Sequence, residues 1–88
     1  MPIREEIRQK VKSEVANESN IDIDRVKDEH ILTDAPLNLD KAALGMLTLT
    51  LRKYIKTYRS DRTVVVKEVR KSGLTVKALV DLVYEKLQ

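Results

Sequence analysis

The chain has 88 residues, of which 42% are hydrophobic, 35% charged and 3% aromatic, and it contains no cysteine. That length makes residues 1–88 one domain around a single aliphatic core, with no disulfide, no thiolate metal site and no second lobe to close an interdomain cleft. The net charge of +3 hides an asymmetry, because residues 1–40 hold six Lys or Arg against ten Asp or Glu while residues 41–88 hold eleven against four. The two parts therefore carry −4 and +7, and the basic part calls for an anionic partner.

Ile3, Ile7, Val11 and Val15 recur at spacings of four with polar residues between them, which predicts a first helix with one narrow buried stripe. Pro2 suits its start, Glu5 and Glu6 suit the positive end of its dipole, and the run from Asn17 to Asn20 should stop it near Ala16 or Asn17. From Ile21 to Pro36 no period persists, yet Ile21, Ile23, Val26, Ile31 and Leu32 are frequent enough to pin an ordered loop to the core. Ala35-Pro36 discourages helix before the proline, and Asn38 is the expected N-cap of a helix opening Leu39-Asp40-Lys41.

The next segment fits two periods. Leu44, Leu47, Leu51, Tyr54, Ile55 and Tyr58 follow helical spacing, with the tyrosines mainly coreward, but Leu47-Thr48-Leu49-Thr50-Leu51 alternates like a strand and Thr63-Val64-Val65-Val66 is as β-branched as one. A helix to about Tyr58 is favoured because the pattern runs for four turns from a cap; the alternative is a hairpin over about 47–70, whose turn would lack Gly and Asn. Residues Thr63 to Lys71 are then an enlarged third helix or the second strand. Gly73 breaks the chain, Thr75 can cap, and Val76, Leu79, Val80, Val83 and Leu87 mark a terminal helix.

Catalytic chemistry has little to build on. His30 is the lone histidine, in an acidic loop, with no Cys and no Ser-x-x-Lys or Gly-x-Ser-x-Gly element beside it. Asp22, Asp24, Asp28, Glu29, His30 and Asp34 depart from a calcium loop, with Val26 where an oxygen ligand belongs and Lys27 where glycine belongs, so a solvated loop is expected instead of a metal site. Gly45 and Gly73 are too few for a phosphate-cradling loop. The expectation is a non-enzymatic protein without cofactor. No apolar run approaches the roughly 20 residues that span a bilayer, and Met-Pro-Ile-Arg-Glu-Glu lacks the core of a signal peptide, so a soluble cytoplasmic protein with no membrane partner is expected.

Two features carry the functional reading. The first is the block of Arg52, Lys53, Lys56, Arg59, Arg62, Lys67, Arg70 and Lys71, opposed within its own span by Asp61 and Glu68. On a helix, Arg52, Lys56 and Arg59 fall on one side at spacings of four and three, able to meet successive phosphates or carboxylates. The acidic N-terminal part could neutralise this block within the fold, or meet it in a neighbouring copy.

The second feature is order: a first helix of about 14 residues, a long loop, a Leu-x-Asp-x-x-Leu approach at Leu32-Thr33-Asp34-Ala35-Pro36-Leu37, a second helix, and a terminal stretch Thr75 to Leu87. Over about 60 residues this pattern resembles an acyl or peptidyl carrier protein. The resemblance implies an all-α bundle of three or four helices, and it implies a serine at the start of the second helix for attachment of phosphopantetheine. Aligning Leu32 with the leucine before the family's motif puts Pro36 at that position; aligning Leu39-Asp40 puts Asn38 there. Neither side chain has a hydroxyl, and Ser13, Ser19, Ser60 and Ser72 lie elsewhere. The family's second helix is typically acidic, whereas this one is basic, and the stretch before the last helix is roughly ten residues longer than usual. Leu44, Leu47, Val80 and Val83 stand where a carrier's acyl cavity would be lined, and ordinary core packing accounts for them equally.

The leading expectation is a carrier-like module without a prosthetic arm, binding an acidic protein through its basic second helix as a monomer or weak homodimer. The alternative is a small winged-helix-like domain that binds nucleic acid through Arg52 to Lys71.

Overall fold

A computed structural model describes residues 2–88 of the chain. It contains α1 (Arg4–Ser19), a 3-10 turn (Ile23–Arg25), α2 (Lys41–Tyr58), the one-turn α3 (Val66–Val69) and α4 (Val76–Lys86), with no strand among the described residues. The all-α expectation holds and the hairpin over 47–70 does not form. α1 packs on α4 and α2, and α2 also meets α3 and α4. Ile7, Val11 and Val15, Leu44, Leu47, Leu51 and Ile55, and Val76, Leu79, Val80 and Val83 form one aliphatic core, joined by Val64 and Val69 from the α3 segment. Leu44, Leu47, Val80 and Val83 are all within this packed interior, at most 3% exposed.

The strand-like alternation of Leu47 to Leu51 is absorbed by a helix. Leu47, Thr48 and Leu51 face inward while Leu49 is left outside. The hydroxyls of Thr48 and Thr50 donate to the carbonyls of Leu44 and Met46, at 2.7 and 3.1 Å, so the two β-branched polar residues are satisfied without a partner strand. At the α2 N-terminus the cap is Asp40, not Asn38. Its carboxylate accepts from the Ala43 N–H at 2.8 Å, whereas Asn38 sits in the left-handed region at φ 48°, in a turn that carries Leu37 and Leu39 into the core. The Ala35–Pro36 peptide is cis.

α1 begins after Ile3, which is 64% exposed as its N-cap and drops out of the predicted stripe. The helix also outruns its predicted stop and ends at Ser19, whose hydroxyl donates to the Val15 carbonyl at 2.6 Å, and Asn20 then takes the left-handed C-cap at φ 59°. The long loop is ordered, as expected, although Val26 and Leu32 anchor it and Ile23 is exposed. Its far end is stitched to the entry of α4: Leu32 N–H donates to the Leu74 carbonyl at 3.0 Å, Val76 N–H to His30 at 2.9 Å and Lys77 N–H to Asp28 at 2.9 Å. Thr75 caps α4 by accepting from the Ala78 N–H at 3.1 Å. Instead of an enlarged third helix, Thr63 to Lys71 form only the single turn of α3, where Glu68 accepts from the Val65 N–H at 3.1 Å. No helix among the described residues is long and apolar enough to cross a membrane.

Candidate interaction surface

The eight predicted partner-binding cations divide into three groups. Arg52, Lys53 and Lys56 lie on α2 away from its buried stripe. Arg59 and Arg62 bracket Asp61 in the turn after α2, at 3.5 and 3.8 Å. Arg59 also donates to the Gln88 carbonyl, so it ties the exit of α2 to the end of α4. Lys67, Arg70 and Lys71 belong to α3 and its exit, and Arg70 Nη2 donates to the Lys41 carbonyl at 3.1 Å in the first turn of α2. The α3 turn thereby brings Arg70 back to the opposite end of α2 from Arg59.

Few of these charges are neutralised. Glu68, one of the two acids in the block, pairs with Lys86 of α4 at 3.2 Å, which leaves Asp61 as the acid within the block that meets a block cation. The Asp61 carboxyl is held below the usual carboxylate range by its own backbone N–H and then by Arg59 and Arg62. Arg52, Lys53, Lys56, Lys67, Arg70 and Lys71 have no carboxylate within 4.0 Å among the described residues. Among the described residues no ion pair within 4.0 Å joins the acidic N-terminal part to the block. Three of the acidic part's ten carboxylates pair with α1's own cations: Glu5 with Arg8 at 3.4 Å, Glu14 with Lys10 at 3.6 Å, and Asp28 with Lys12 at 3.1 Å and Arg8 at 3.3 Å. The Asp28 carboxyl is pulled below its ordinary value, chiefly by the Lys12 hydrogen bond.

The tyrosines interleaved with the block behave differently from one another. Tyr54 packs against the core with Lys10 Nζ 5.6 Å from its ring centre, while Tyr58, expected mainly coreward, is 44% exposed and meets Tyr54 edge to face at 5.6 Å. Burial raises the Tyr54 phenol above its usual value. Tyr58 borders the basic surface instead of supporting it from within.

Pro36 and Asn38 are both exposed in the turn before α2. Among the described residues no three His, Cys, Asp or Glu side chains converge as metal ligands, and His30 Nδ1 is occupied accepting from the Lys27 N–H at 3.1 Å. Two surface residues escaped the charge-based reading, Met46 and Leu49, which stand 54% and 49% exposed on the same helix as Arg52, Lys53 and Lys56. Their phase, off the stripe of Leu44, Leu47 and Leu51, is the signal that marks them. Comparison with protein-family models, with curated proteins and with solved structures finds no match for this chain.

Proposed function

We propose that the chain is a non-enzymatic protein-interaction module, carrier-like in its helix order but without a phosphopantetheine arm, which binds an anionic protein partner through the basic surface of α2 and α3. The observation that carries this reading is the set of six cations, Arg52, Lys53, Lys56, Lys67, Arg70 and Lys71, with no carboxylate within 4.0 Å among the described residues. Uncompensated surface charge of one sign speeds and selects encounters with the opposite sign. Pro36 and Asn38 at the aligned attachment position supply no hydroxyl for a phosphodiester, so nothing there would hold the family's cofactor. Placement in the cytoplasm fits a cysteine-free chain.

Two measurements test the reading. Coexpression with a phosphopantetheinyl transferase should leave the intact mass unchanged in the presence of coenzyme A, and a gain equal to the arm refutes the alignment. Binding to a generic DNA duplex should be absent or feeble at low salt; retention that falls with roughly one power of salt concentration per phosphate contact would instead make the basic surface a nucleic-acid site.

A further inference from the structure

Opposite its buried stripe, α2 carries a second line of residues, Ala42, Met46, Leu49, Lys53 and Lys56, at alternating spacings of four and three. All five are exposed. No large apolar residue is exposed on α1 or α4, whereas Met46 and Leu49 stand a turn apart in the middle of this line. Gly45 lies beside Met46, and a Cβ placed there would meet Arg70 Nη2 at 3.9 Å. The crest therefore has a shallow backbone floor at Gly45 with the Arg70 guanidinium along its edge.

Alternation of three and four is the spacing by which one helix seats on another. At 1.5 Å per residue the line from Ala42 to Leu49 gives about 10 Å of small and apolar side chains, and the line from Leu49 to Lys56 about 10 Å more that ends in two cations. A surface built for phosphates alone has no use for two large apolar side chains inside its footprint. A protein helix uses both halves.

We propose that the outward face of α2 is the docking surface for an acidic amphipathic helix of a partner protein. Its apolar residues lie over Ala42, Met46 and Leu49, with the Arg70 guanidinium at the edge of that half, and its carboxylates reach Arg52, Lys53 and Lys56. The occupant is thus polarised along its axis, apolar in one half and rich in Asp or Glu in the other. The inference rests on the interaction-module reading above and narrows the partner to one secondary structure, one sign of charge and one helix face.

The test is a titration of the full-length, 15N-labelled protein with three synthetic peptides of about 16 residues, long enough for appreciable helicity. One carries leucines at seam positions in one half and glutamates in the other; the second replaces Glu by Lys; the third replaces Leu by Ser. The first peptide alone should bind, with amide shifts concentrated at 42–56 and at Arg70. Met46→Glu and Leu49→Glu should each weaken it roughly tenfold, the loss of a central apolar contact, with unfolding curves showing that the fold persists. Met46→Ser and Leu49→Ser, milder at exposed positions, provide the same reading if a glutamate disturbs the fold. Equal binding by the Leu-to-Ser peptide, unaffected by the Met46 and Leu49 variants, overturns the helix-docking proposal and leaves a charge-led interaction surface standing. Binding by the lysine peptide, or no shift with any peptide, overturns the proposal. A generic duplex that displaces the acidic peptide from these amides at moderate salt overturns the proposal and the protein-partner reading together.

Discussion

Lys12 and Asp28 show how single residues tie the acidic loop to α1. Lys12 is only 8% exposed, and its ammonium lies 3.1 Å from an Asp28 oxygen that Arg8 also approaches at 3.3 Å. Because hydrogen bonding lowers the Asp28 pKa in the folded state, the stabilisation is present above the unfolded-state value of about 3.9 and is lost as pH falls through the folded value. Asp28→Asn should therefore cost about 1 kcal/mol at neutral pH, less than a fully buried charged hydrogen bond because the carboxylate is open to water on one side. Urea midpoints measured from neutral pH down to about pH 3 should fall more steeply for the wild-type chain than for the variant. The two glycines make opposite predictions for one substitution. Gly45 is in the body of α2 with room for a methyl group, so Gly45→Ala should stabilise by about 0.5–1 kcal/mol. Gly73 holds φ 75°, so Gly73→Ala should destabilise by roughly 1 kcal/mol. Thermal or urea unfolding of the pair gives both signs.

At the scale of elements, α2 was the segment on which residue patterns disagreed. In a strand Leu47, Leu49 and Leu51 would share one face, and truncating any of them would cost a similar amount. In the helix Leu47 is fully buried and Leu49 is about half exposed, so Leu47→Ala should cost about 2–5 kcal/mol while Leu49→Ala stays within about 0.5 kcal/mol. Equal costs in urea unfolding would favour the paired strand. α1 and α4 were legible because each repeats one apolar stripe without a competing period. The core half of α2 was legible too, but what decides helix over strand there is tertiary packing: Leu44, Leu47, Leu51 and Ile55 are buried together as one stripe in the shared core with α1 and α4, which residues 47–51 taken alone do not reveal. Caps were less legible. Asn38 and Asp40 are both good N-cap residues, and the choice depends on Leu39, which must be buried and whose N–H donates to the Leu32 carbonyl at 3.0 Å. The α1 boundary failed at both ends for similar reasons: Ile3 has no neighbour to cover it, and Ser19 satisfies itself inside the helix.

At the scale of the whole molecule, sequence showed that positive charge accumulates after Asp40, and the fold determines which part of that charge is free. Glu68 looked like a local opponent of the block and is instead taken by Lys86 on α4. Arg59 and Arg70 are committed to carbonyls 29 residues away in the chain. Such long-range pairings are invisible to local charge counting, as is the absence of ion pairs between the acidic part and the block among the described residues. Arg52, Lys53 and Lys56 follow Met46 and Leu49 on one element because α2 is one continuous helix from Lys41 to Tyr58. The account of the surface depends on that continuity, and backbone chemical shifts measured along the whole chain test it most directly. Unbroken helical shifts from Lys41 to Tyr58, interrupted before a single turn at Val66–Val69 and resumed at Val76, are the predicted result. Extended shifts with cross-strand contacts through residues 47–69 would contradict it, turning Leu49 inward and dispersing the surface on which the partner is proposed to dock.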